Sequence, residues 1–265
     1  MNTDTLPLIG FGTWDVRGNR GKEIIKDALT VGYRLIDTAE MYGNEEIVGA
    51  AVRESGIARD AVFVTDKISH KCNSVTETKR AVQDALKKMG LDYLDLMLIH
   101  EPYSTYEAMY QGLCEAMREG LVTHIGISNF NESQLSALLR TPEVKPFVNQ
   151  IESHVYYPQL VFEEKLRLQG IRMQSWGPFT ERRRDIFRER ILMEIADKHN
   201  KTAGQVALRY LVQNGIHVIP KSSRRSRMEE NLAIFDFELD REDLNLIGEL
   251  DEHRSLFGWY RGQWM

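Results

Sequence analysis

Short β-rich runs alternate with longer helical patterns along almost the whole chain, and this alternation constrains the fold more than any single residue does. The runs occupy residues 8–14, 33–37, 62–67, 96–100, 122–129, 147–152, 171–176 and 216–221. Between them, apolar residues recur at helical spacing over 21–31, 44–55, 74–89, 105–119, 132–140, 159–169, 190–199 and 203–213, then over 227–234 and 242–250. Ser74-Val75-Thr76-Glu77 reads as a capping box that opens the third of these helices, and Gly90 stops it. Strands joined through helices run parallel and are covered on both faces. No linker rich in Pro, Gly or Ser divides the 265 residues. The expectation is a single α/β domain over residues 1–265, a (β/α)8 TIM barrel. A doubly wound sheet would carry Gly-x-Gly-x-x-Gly after its first strand, but Gly10-Phe11-Gly12 is followed by Asp15 where the third glycine belongs.

Composition narrows the function classes. At 42% hydrophobic and 28% charged the chain is ordinary for a soluble globular protein. A net charge of −5 does not favour nucleic acid or an acidic membrane as partner. Two cysteines, Cys72 and Cys114, make no disulfide framework and lack metal-ligand spacing. They are expected to be free structural thiols, with no metal site. No signal-peptide pattern opens the chain, and no apolar run is long enough to span a bilayer. A cytoplasmic enzyme is expected.

Four polar residues sit at or just past the ends of three β runs. Asp37 closes Tyr33-Arg34-Leu35-Ile36-Asp37, with Tyr42 in the loop beyond. Lys67 closes Val62-Phe63-Val64-Thr65-Asp66-Lys67, and His100 closes Leu96-Met97-Leu98-Ile99-His100. Barrel enzymes build their chemistry at this end of the sheet. Strand parity lets Asp37, Lys67 and His100 each face the mouth. Each alone reads as an ordinary loop or strand-end residue; together they form a proton-transfer set. An ammonium at Lys67 is expected to lower the pKa of the Tyr42 phenol from its usual value of about 10. Asp37 would hold that ammonium charged, and His100 would orient a substrate oxygen. The set suits protonation of a carbonyl oxygen, with the hydride coming from a cofactor.

Phosphate groups in such barrels bind the loops after strands 7 and 8, and both are basic here. Arg182, Arg183 and Arg184 follow strand 7; they read equally well as a solvated charge run. Lys221-Ser222-Ser223-Arg224-Arg225-Ser226-Arg227 follows strand 8 and opens a helix whose free N–H groups favour phosphate.

Taken with these features, six stretches in order resemble the aldo-keto reductase family over residues 8–257: Gly10-Phe11-Gly12-Thr13-Trp14, Asp37-Thr38-Ala39-Glu40-Met41-Tyr42-Gly43-Asn44-Glu45, Leu98-Ile99-His100, Gly126-Ile127-Ser128-Asn129-Phe130, Asn149-Gln150 and Ile219-Pro220-Lys221-Ser222. Ser175-Trp176-Gly177-Pro178-Phe179 is similar to bacterial members related to diketogluconate and small-aldehyde reductases. The resemblance implies a catalytic tetrad of Asp37, Tyr42, Lys67 and His100, with Tyr42 as general acid. It implies that Ser128, Asn129 and Gln150 hold the nicotinamide carboxamide and that Trp176 stacks on its ring. It assigns Lys221, Ser222, Arg224 and Arg227 to the 2′-phosphate of NADPH, Glu230 and Asn231 to the adenine, and Trp14 to the substrate. A monomer is the family default.

The departures bear on substrate choice. The family's hairpin plug under the barrel is shortened or absent, since only residues 1–7 precede the first strand. Asp66 stands where a small hydroxyl residue is common, and its parity points it toward the helices. Glu101 replaces an aromatic or amide residue, and the aromatic tail from Phe257 to Trp264 is unusual. The expected function is reduction of an aldehyde or ketone by NADPH to give an alcohol and NADP+. Two alternatives stand beside it: a non-catalytic cofactor sensor of the same fold, and a lyase or isomerase barrel acting on phosphorylated sugars.

Overall fold

The computed structural model describes residues 5–69, 72–140 and 143–258. Eight parallel strands follow one another in chain order: β1 (Phe11–Gly12), β2 (Leu35–Asp37), β3 (Phe63–Ile68), β4 (Leu94–Ile99), β5 (Val122–Ser128), β6 (Val148–Glu152), β7 (Arg172–Trp176) and β8 (His217–Val218). The sheet closes on itself. Ile9 bridges Val218 in parallel, the Gly10 amide donates to the Val218 carbonyl at 2.8 Å, and the Val218 amide donates to the Leu8 carbonyl at 2.9 Å. This is a (β/α)8 barrel rather than a doubly wound sheet. The first and last strands are shorter than the apolar runs suggest, because the seam continues as isolated bonds beyond them.

The helices are α1 (Gly18–Val31), α2 (Glu45–Glu54), α3 (Val75–Met89), α4 (Tyr106–Arg118), α5 (Glu132–Leu138), α6 (Leu160–Leu168), α7 (Arg190–His199), α8 (Ala203–Gln213), α9 (Arg225–Leu232) and α10 (Arg241–Gly248). Their apolar stripes pack against the outer face of the sheet in one large core. The start of α3 differs from the expected reciprocal box. Ser74 Oγ accepts from the Glu77 amide at 3.2 Å, but the Glu77 carboxylate reaches the Asn73 amide at 2.7 Å instead of that of Ser74. Gly49 lets α2 approach the end of α3, since a Cβ there would lie 2.0 Å from the Met89 carbonyl oxygen.

Inside the barrel a second, smaller cluster joins Leu6, Leu35, Phe63, Leu96, Leu98, Val148 and Ile219. Inward-pointing residues of alternate parity make it, as the pleat requires. Below it, His124 stacks on Phe147 with ring centroids 3.8 Å apart, and the Arg172 guanidinium lies 4.0 Å from the Phe147 centroid. Residues 5–10 form no hairpin, and Leu6 is buried in the interior cluster. Residues 1–4 of the expected short plug lie outside the described residues, as does the tail from 259 to 264. No helix among the described residues is long and apolar enough to cross a membrane. Neither cysteine is in a disulfide, and both are buried.

Candidate active site

The pleat turns Asp37 and Lys67 inward at the upper end of β2 and β3, while His100 follows β4 directly. Tyr42 ends a single 3-10 turn (Glu40–Tyr42), which Gly43 terminates at φ 64, a left-handed conformation that a side chain disfavours. Lys67 Nζ donates to Asp37 Oδ1 at 2.5 Å and to the Thr38 carbonyl at 2.8 Å, and lies 3.5 Å from the Tyr42 hydroxyl. Three acceptors match the three donors of an ammonium. Asp37 Oδ2 accepts from Gln150 Nε2 at 2.7 Å, and the same amide reaches Gln174 Oε1 at 2.7 Å. The Tyr42 ring stands edge-on to His100 and Trp14, with centroids 5.9 and 5.0 Å away. The four expected catalytic residues therefore meet at one place, with Trp14 beside them.

Lys67 is fully buried. Burial works against its ammonium, but Asp37 and Tyr42 outweigh it and hold the amine above its usual range. Burial likewise pushes the Asp37 carboxyl up, against the pull of Lys67 and Gln150. Both partners shift upward, so the proton's location rests on geometry. Three oxygens around Nζ hold it on the amine, as an ammonium–carboxylate pair. From sequence, Lys67 is expected to lower the Tyr42 pKa. In the structure burial is the larger effect and the net shift is upward, with Lys67 opposing it. The phenol therefore keeps its proton, which is the form a general acid needs. Burial, helped by Lys67, pulls His100 down to about 3. Its ring is a neutral imidazole at any ordinary pH.

Around this centre the residues expected to hold a nicotinamide form a bonded chain. Asn129 adopts φ 62, which carries its side chain into the mouth. Asn129 Nδ2 donates to Glu101 Oε1 at 2.8 Å, and Trp176 Nε1 donates to Asn129 Oδ1 at 2.7 Å. Ser128 Oγ donates to the Gln150 carbonyl at 2.8 Å. The Asn129 amide is thus committed to protein partners at both ends. The Gln150 amide nitrogen is committed too, which leaves its side-chain oxygen as an acceptor.

At the start of α9, Lys221 and Arg224 are exposed and make no ion pair among the described residues. No side chain caps this helix end, so its first N–H groups remain open. Ser222 Oγ accepts from the Arg224 amide at 3.1 Å. Arg227 pairs with Glu230 at 2.6 Å, and Glu230 also accepts from Thr202 Oγ1 at 2.7 Å. Asn231 is buried under the helix against Tyr33, turned inward rather than outward. A cationic, uncapped helix end on one side and an indole beside a free amide oxygen on the other suit a dinucleotide with a phosphate at its far end.

Several site residues escaped the sequence. Gln174 shares parity with Trp176 and bonds Gln150, but parity alone does not name a partner. Glu152, two residues past Gln150 on the same face, accepts from Ser255 Oγ, the Leu256 amide and His154 Nε2. It ties the segment 255–258 to the mouth, where the Phe257 ring stands edge-on to Trp176 at 5.0 Å. The strand 7 loop arginines divide. Arg184 pairs with Glu252 and lies over Tyr156, and Arg183 lies 5.1 Å from the Phe257 ring. Those two brace the tail segment. Residues 180–182 carry three successive positive φ values, 62, 45 and 67.

Comparison with known proteins agrees with this geometry. The Aldo/keto reductase family matches residues 8–252. The chain is 39% identical to the glyoxal reductase of Bacillus subtilis (strain 168) over 249 residues, which is 93% of this chain and 90% of that protein. It is 36% identical to the methylglyoxal reductase DkgA of Escherichia coli (strain K12), covering 96% of this chain and 92% of that protein. The crystal structure of MGS-M4, an aldo-keto reductase enzyme from a Medee basin deep-sea metagenome library, superposes with a TM-score of 0.92 at 37% identity, covering 95% of this chain and 93% of the other. With the barrel, the buried Lys67–Asp37 pair and these matches in hand, the chain belongs to the aldo/keto reductase family.

Proposed function

We propose that this protein is an NADPH-dependent reductase of small aldehydes and ketones, with Tyr42 as general acid. The observation that carries the reading is the ammonium of Lys67, held between Asp37, the Thr38 carbonyl and the Tyr42 hydroxyl. A phenol oxygen that accepts from Lys67 keeps its own O–H free to give to a carbonyl oxygen. When bound, the reduced dinucleotide supplies the hydride. Tyr42 supplies the proton, and Lys67 stabilises the phenolate left behind. Asp37 keeps the amine charged in a buried setting, and neutral His100 orients the substrate oxygen as a hydrogen-bond partner without competing as an acid. Trp14 flanks the substrate.

Lys221, Ser222, Arg224 and Arg227 would hold the 2′-phosphate, and Gln150 with Ser128 would meet the carboxamide. Glyoxal and methylglyoxal, named for two relatives, make small dicarbonyls the first substrate class to test. The protein is proposed to act as a cytoplasmic monomer, without nucleic-acid or membrane partners. The sensor and the sugar-phosphate lyase or isomerase are less favoured, because the proton-transfer set is complete and lies within an oxidoreductase family.

Mixing the protein with NADPH and following cofactor fluorescence tests binding. Following NADPH absorbance with methylglyoxal, a nitrobenzaldehyde and keto-sugars tests reduction. Saturable binding with substrate-dependent oxidation is expected. Binding without oxidation across the panel would leave the sensor as the better reading, and absence of binding would favour the lyase.

A further inference from the structure

Asp66 lies between two inward-facing residues of β3 and therefore points out of the barrel, toward the helices. It is 1% exposed, and neither carboxyl oxygen has a hydrogen-bond partner. Glu45, the first residue of α2, is 4% exposed and leaves Oε1 unpartnered, while its Oε2 accepts from Lys88 Nζ at 2.6 Å. Both side chains line a cavity of about 590 Å³ between β3, α2 and α3. Its walls carry the carboxyl groups of Glu40, Glu45, Glu46, Asp66, Glu77 and Asp84, opposed only by Arg80, Lys87 and Lys88. Besides Glu45, two of these acids are already engaged: Glu40 accepts from Ser69, and Glu77 from the Asn73 amide.

Buried acceptors without donors are costly, and more so when charge accumulates around them. Lys67 offsets the Asp66 charge through the nearness of its own backbone amide and, from the opposite face of β3, through its ammonium. Burial, and then the charge of Glu45, push Asp66 up to about 8, with Lys67 and Lys88 opposing. A proton neutralises the group but brings one donor where three free oxygens remain. No group of three His, Cys, Asp or Glu side chains suited to a metal ion exists among the described residues. An ammonium, with several N–H donors and a positive charge, suits these oxygens. Lys88 shows the chemistry that fits, since its alkylammonium already bonds one Glu45 oxygen. Its side chain is 42% exposed.

We propose that the groove between α2 and α3 is a binding site for an aliphatic amine in its ammonium form, which displaces Lys88 and donates to Asp66 and to Glu45 Oε1. The volume accommodates a short carbon chain. Glu46 and Asp84 at the walls suit a second ammonium, so a linear diamine fits better than a monoamine. Binding ionises Asp66 and so releases close to one proton near neutral pH. The site lies directly behind the lysine of the proton-transfer set but does not depend on the function proposed for that set.

Calorimetric titration of the full chain with 1,4-diaminobutane at pH 7, repeated in two buffers of different ionisation heat, tests the site. Tetramethylammonium at matched ionic strength serves as a control that carries the charge without donors. The expected result is saturable diamine binding with proton release, weakened at least tenfold in Asp66→Asn, while tetramethylammonium does not bind. Glu45→Gln provides a second variant, expected to weaken binding even if Asp66→Asn fails to fold. Equal heats for the two cations, undiminished binding in a folded Asp66→Asn or Glu45→Gln variant, or displacement of the diamine by equimolar Mg2+ would each overturn the proposal.

Discussion

Glu101 follows His100 in the chain, yet burial moves the two in opposite directions, to about 8 and about 3. Both shifts favour the neutral form, as removal from water does for any ionisable group. For Glu101 the folded state holds its proton more tightly than the unfolded chain. Its contribution to stability is therefore greatest at low pH and declines as pH rises from the ordinary carboxyl range toward 8. Glu101→Gln keeps an oxygen for Asn129 and removes that decline. Its stability advantage over the parent should grow between pH 5 and 8, on the order of 4 kcal/mol by linkage. Denaturant melts at both pH values check this; a constant difference would mean that Glu101 is ionised when folded. At this scale the convergence of the four residues was legible from sequence, because Asp37, Lys67 and His100 stand at or just past strand ends with the right parity and Tyr42 lies in the loop after β2. The Tyr42 shift was not. Its sign depends on how much water burial removes, which no list of neighbouring charges reveals. The bond from Asn231 to the buried Tyr33 was not legible either, since a polar side chain on an exposed helix gives no sign of turning inward.

Elements carry two further expectations. The approach of α2 to α3 rests on the missing side chain of Gly49. Gly49→Val should cost about 3 kcal/mol or more through overpacking against backbone, read as a lower midpoint of chemical unfolding. An unchanged midpoint would show that the helices can part freely. The cationic end of α9 should discriminate between nucleotides. Lys221→Met is expected to weaken NADPH binding roughly tenfold, about 1.4 kcal/mol, and to leave NADH binding unchanged. Fluorescence titration distinguishes this from a general loss. Periodicity located the helices well; α7 and α8 run over the same residues that the sequence pattern marks. Strand lengths at the seam were harder. Hydrogen bonding there depends on the closure of β8 against the segment before β1, a contact between distant parts of the chain.

The whole molecule places its charges unevenly. A chain of net charge −5 concentrates acid between α2 and α3 and cations around the start of α9. Barrel closure brings strand ends that are far apart in sequence to a single mouth, so Gln150 reaches Asp37 across 113 positions. The order of βα units made the barrel readable in advance. The tie from Glu152 to segment 255–258 was not readable, because a loop folding back over the mouth leaves no periodic signal. At the centre of the proposed mechanism, a buried ammonium lies beside a protonated phenol that would donate to a substrate carbonyl oxygen. The most direct measurement compares Tyr42→Phe with the parent in single-turnover NADPH oxidation, after cofactor fluorescence has shown equal binding. A rate lower by at least about a thousandfold is predicted, near the upper part of the range for loss of one general acid. Equal rates in the two proteins would contradict the account.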